Sequence, residues 1–182
     1  MERFFNTAGP QTPDSYTIAP LSRIDLEDIL TLIRQQRYFV LHAPRQTGKT
    51  SCMLALRDYL NQSGQYIAVY ANVEGGQASR NNMQSVVKST VDTIAREVRI
   101  VRGDTSADAA RDAVQNVGPD SMLSEYLSNL SCSLPKPLVL IIDEIDALVG
   151  DSLVSVLRQI RSGYANRPKA FPQTIILCGV RD

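Results

Sequence analysis

One segment constrains this chain more than any other: Ala43-Pro44-Arg45-Gln46-Thr47-Gly48-Lys49-Thr50, set between a β-rich run, Tyr38–His42, and a stretch with helical spacing at Met53, Leu56, Tyr59 and Leu60. Strand, loop and helix in that order leave the first amides of the helix without intrahelical partners, at the positive end of the helix dipole. A phosphate chain needs inward-facing amides, a lysine against its outer oxygens and a hydroxyl for magnesium. Gly48 lets the backbone come close, Lys49 supplies the charge, Thr50 the metal ligand, and the amides from Gln46 to Ser51 the cradle. The phosphate-loop pattern wants glycine at its first position, where this chain has Ala43, so the loop entry must adopt a conformation an L-residue tolerates, stiffened by Pro44.

The rest of the chain reads as strands alternating with helices. Asp25 is placed to cap a helix with Leu26, Ile29, Leu30 and Ile33 on one face, ending near Gln36. Tyr66–Val73 reads as a buried strand closed by Gly75 and Gly76, and a long helix carries Met83, Val87, Val91, Ile94, Val98 and Val101. Residues 103–118 turn polar and small, which predicts a mobile excursion. Asp120 then opens a helix bearing Met122, Tyr126, Leu127 and Leu130, and Leu138–Ile142 is a fully apolar strand. Asp151 caps a further helix that stops at Gly163, and Thr174–Cys178 is the last strand. This alternation predicts an α/β fold with a parallel sheet and helices on both faces.

The strand Leu138–Ile142 ends in Asp143 and Glu144. A carboxylate at a buried strand tip can hold the water shell of magnesium, and a second beside it can polarise an attacking water. Asp143 is the expected metal residue with Thr50, and Glu144 the expected base.

APRQTGKT followed by LVLIIDEID resembles the Walker A and Walker B motifs of AAA-like and STAND-like P-loop ATPases. The segments FFNTAGP, SYTIAP and YFVLHAPRQTGKT also resemble bacterial AAA-family ATP-binding proteins. The resemblance implies a three-layer P-loop core with strands in the spatial order Tyr38, Thr174, Leu138, Tyr66, a core over residues 22–182, and an arm over residues 1–21. It implies ATP or ADP with Mg2+ as cofactors, and slow hydrolysis coupled to an unknown protein partner or effector. It makes Lys49 and Glu144 catalytic, joined by Arg181 as a sensor, and it sets Tyr16 and Ile18 of the arm against the base. The family continues past the position of Asp182 with a further helix, a strand and a lid, so a chain stopping there is expected to expose Tyr38–His42 as an edge, covered in part by the arm and prone to self-association. Two other readings share the loop: a small P-loop kinase, which the Asp143 and Glu144 pair disfavours, and an interaction module that binds no nucleotide.

Composition narrows the partners. Nineteen basic and nineteen acidic side chains leave a formal net charge of zero, unlike the basic field of a protein that coats nucleic acid. Arg158, Arg161 and Arg167 are expected to form a solvated basic face, the place where a nucleic-acid partner, not otherwise indicated, would bind. The longest apolar runs fall far short of the roughly 18 to 20 residues that span a bilayer. The N-terminal residues lack a secretory apolar stretch, and a cytoplasmic location is expected. Cys52, Cys132 and Cys178 are too scattered for a disulfide framework and are expected to be buried, as is His42. Asn72 and Glu74, closing the second strand, suit a turn-stabilising pair, with a role in ordering catalytic water as the alternative.

Overall fold

Four parallel strands form one sheet in the computed structural model, which describes residues 18–44, 46–79 and 82–179. They are β1 (Phe39–His42), β2 (Ile67–Asn72), β3 (Leu138–Asp143) and β4 (Thr174–Gly179), in the spatial order β1-β4-β3-β2. This is the order the family resemblance implies. All strand ends therefore point the same way, with Asn72 opposite Asp143 and His42 opposite Gly179. Loops that follow β1 and β3 leave from one edge of the sheet, which is where open α/β sheets place their ligands.

Period-2 alternation sends successive side chains of each strand into two separate cores. On one face Val69, Leu140, Ile142 and Ile175 pack against α3 (Met83–Arg102), α5 (Met122–Ser133) and α6 (Gly150–Ser162). On the other, Ala68, Tyr70, Ile141, Ile176 and Cys178 pack against α1 (Leu26–Arg34) and α2 (Lys49–Gln62). With both faces covered, every residue of β3 is buried, which accounts for its unbroken apolar run. The Asp25 carboxylate accepts the Asp28 amide at 3.1 Å and caps α1 as expected.

Several expectations are corrected. Residues 103–118 are not a mobile excursion: α4 (Ser106–Asp112) lies against α3 and α5, with Ala107, Ala110 and Val114 buried. Alanine side chains allow close approach, while Asp108 faces Arg99 and Arg111 in ion pairs at 3.4 and 3.6 Å. The start of α5 is set neither by Asp120 nor by a local side chain but by Gln159 of α6, whose Oε1 accepts the Leu123 amide at 2.8 Å. Asp151 lies inside the first turn of α6, not at its cap, so it acts on the helix dipole rather than on an amide. Cys132 is exposed on α5, and only Cys52 and Cys178 are buried. His42 is exposed too, because β1 turns Phe39 and Leu41 inward and Val40 and His42 outward. Among the described residues β1 pairs with β4 alone, and no helix is long and apolar enough to cross a membrane.

Candidate functional site

The chain leaves β1 at His42 and re-enters helix at Lys49, and the turn between them uses left-handed backbone twice, at Gln46 (φ 60°) and at Gly48 (φ 79°). Ala43 takes no positive φ, so the alanine that replaces the expected glycine is accommodated without strain. Thr47 Oγ1 donates to the Pro44 carbonyl at 2.8 Å and ties the loop to its own entry. Arg23, just before α1, donates from Nη2 to the Thr47 carbonyl at 2.6 Å. Its guanidinium lies so close over Gly48 that a Cβ there would fall 2.5 Å from Nη1.

Behind the loop, the first turn of α2 faces the tip of β3. Lys49 Nζ stands 3.3 Å from Asp143 Oδ1 and 3.6 Å from Glu144 Oε1. Although charge-paired, the ammonium makes no hydrogen bond of good geometry among the described residues. Desolvation by burial would pull its pKa down, but the two carboxylates outweigh burial and leave it above the ordinary lysine value. Thr50 Oγ1 donates to Asp143 Oδ2 at 3.3 Å, and the Tyr70 hydroxyl donates to the same oxygen at 2.7 Å. The Glu144 amide closes the other side, donating to Oδ1 at 3.0 Å. Asp143 is fully buried and engaged at both oxygens, whereas the Glu144 side chain is 31 % exposed. Glu144 itself has left-handed backbone, φ 58°.

The structure thus brings Lys49, Thr50, Asp143 and Glu144 together, with Gln46, Thr47 and Gly48 in the loop above them and Ser51 half-buried in the first turn of α2. Pro44 is exposed at the loop entry. Ile18 is exposed, and Tyr16, Arg45 and Arg181 lie outside the described residues. Asn72 Oδ1 accepts the Glu74 amide at 2.8 Å, the geometry of a turn-stabilising pair. Arg158 and Arg161 are exposed on α6, but Arg167 is half-buried, its guanidinium over the rings of Tyr164 and Tyr38 at 3.3 and 5.1 Å.

Sequence reasoning missed two residues at this site. Tyr70 is a hydroxyl among the apolar residues 67–71 of the strand beside β3, and that was its only signal. Arg23 precedes a helix cap and gave none. Cys178 belongs to the core beneath the site, where burial pushes its thiol up to about 12.

The donor set fits a phosphate chain with magnesium. A buried ammonium without a hydrogen bond suits phosphate oxygens, and Gly48 takes a left-handed backbone that a side chain would strain. A hydroxyl and one carboxylate match a cation that keeps most of its water and takes its remaining ligands from phosphate.

Residues 21–171 match the family described as Nephrocystin 3, N-terminal. The chain belongs to this family. The Nephrocystin 3 N-terminal match runs from the 3₁₀ turn before α1 to the approach to β4, and so takes in the loop, α2 and the tip of β3. A solved structure of Drosophila ORC bound to poly(dA/dT) DNA and Cdc6 contains a chain that superposes with a TM-score of 0.52 at 15 % identity. The alignment covers 90 % of this chain and 25 % of that one, so the present chain spans about a quarter of its length. At that identity the likeness concerns the fold. Comparison with curated proteins gives no match. Family match and fold likeness agree with the layered α/β core and parallel sheet described above.

Proposed function

We propose that this domain binds ATP or ADP with magnesium, hydrolyses ATP slowly, and passes its nucleotide state to a protein partner or effector. The observation that carries the reading is the convergence of Lys49 and Thr50, from the loop and α2, on Asp143 at the tip of β3. Amides at the start of α2 and the Gly48 turn cradle the phosphates. Lys49 exchanges its carboxylate neighbours for phosphate oxygens, while Thr50 and Asp143 hold the metal. Magnesium, when bound, supplies Lewis-acid neutralisation of phosphate charge.

Glu144 is the group that can take a proton from water: its carboxylate borders Lys49 and stays partly open to solvent, whereas the Asp143 carboxylate is fully buried. Arg181 in the role of sensor and Tyr16 and Ile18 as a surface for the base remain part of this proposal, carried by the family resemblance. The solved relative is bound to DNA, but this chain has no net positive charge, which favours a protein partner. The arrangement favours an ATPase over a small kinase because a carboxylate next to the metal residue serves a water nucleophile.

Isothermal titration with ADP and ATP, with and without magnesium, tests binding, and phosphate release tests turnover. Tight binding that depends on magnesium supports the proposal. Absence of nucleotide binding would favour an interaction module instead.

A further inference from the structure

Asp143 has two carboxylate oxygens, and Oδ2 accepts two hydroxyls: Thr50, from the first turn of α2, and Tyr70, from the neighbouring strand. The Tyr70 bond is the shorter, 2.7 Å against 3.3 Å, and it is buried. Tyr70 pairs in register with Ile141, two residues before Asp143, and shares the α2 side of the sheet with it. Its ring therefore runs along the sheet surface toward the strand tip, and the phenol ends on the carboxylate. Oδ1 faces the Lys49 ammonium, from the first turn of α2, and the adjacent Glu144 amide. Among the described residues, Tyr70 is the one that links the carboxylate to a neighbouring strand of the sheet.

We propose that Tyr70 is a positioning residue: its hydroxyl fixes the rotamer of Asp143 so that the carboxylate and Thr50 present their oxygens to magnesium together. This rests on the magnesium–nucleotide reading of the site and adds to it a residue outside both motifs. A carboxylate ligand oriented by an outer hydrogen bond binds metal more strongly than a free one. Tyr70 does not touch phosphate in this arrangement, so it should act on affinity only when the metal is present.

The experiment is titration of ADP into the full chain and into Tyr70→Phe, each in magnesium and in chelator, with thermal melting to confirm that both are folded. Phenylalanine keeps the ring in its core and removes only the hydroxyl. Expected is an ADP affinity in chelator within about twofold of the parent, and a magnesium-dependent gain reduced about tenfold, the usual effect of losing an outer partner of a metal ligand. An undiminished gain, or equal losses with and without magnesium, would overturn the proposal and leave Tyr70 as core packing. A parent chain whose ADP affinity ignores magnesium would instead overturn the metal reading, and the role of Tyr70 with it.

Discussion

Lys49 Nζ and Asp143 Oδ1 stand 3.3 Å apart, and this pair joins the start of α2 to the tip of β3 across the sheet edge. Elements far apart in sequence meet here because β1 and β3 both point their ends to the same edge, with β4 between them. A lysine held this way is charged and short of hydrogen bonds, ready to exchange one set of oxygens for another.

Glu144 separates stability from function. Its left-handed backbone costs a residue with a Cβ about 1 kcal/mol. Glu144→Gly should therefore be more stable in urea unfolding than Glu144→Ala by about 1 kcal/mol, the reverse of the usual order in regular structure. Equal stability would show that the tip of β3 is not strained. In the same series Glu144→Gln should keep ATP affinity and lower phosphate release by about 10² to 10⁴, the range for a lost general base. Unaltered turnover would remove Glu144 from the chemistry.

The buried phenol of Tyr126 supplies a second test. It is fully buried on α5, and its hydroxyl has no hydrogen-bond partner among the described residues. Tyr126→Phe should raise stability by about 1 kcal/mol, since an unpaired buried polar group is removed without opening a cavity. A loss of stability would reveal a partner for that hydroxyl.

Much of this arrangement was legible in the sequence. Gly48, Lys49 and Thr50 between a β run and a helix, and an apolar run ending in Asp143 and Glu144, are local signals whose meaning does not depend on distant contacts. Strand order was not local; it followed from the family resemblance. Tyr70 and Gln159 were invisible because each acts on a partner brought close only by the fold: Tyr70 on Asp143, Gln159 on the start of α5. Residues 103–118 misled for another reason. Their small, polar composition reads as loop, but Ala107 and Ala110 bury well when α3 and α5 lie on either side.

Alkaline pH should weaken the fold in a defined window. Burial pushes Cys178 from 9.0 up to about 12, so between those values the folded chain keeps a proton that the unfolded chain has lost. Stability then falls as pH rises through that window, by up to about 1.4 kcal/mol per pH unit. Lys49, also raised, contributes stability that is complete below its ordinary 10.5 and is lost as pH climbs through its folded value. Urea unfolding from about pH 8 to about pH 11 should show the decline, and Cys178→Ala should flatten its first part. An identical slope in the variant would contradict the assignment to the thiol.

The central claim is that Lys49 is the phosphate-binding charge of a nucleotide site, and calorimetric titration of MgATP into the full chain and into Lys49→Ala tests it most directly. The account predicts saturable binding to the parent and none measurable to the variant, with both folded by circular dichroism. Equal affinity in the two would contradict it.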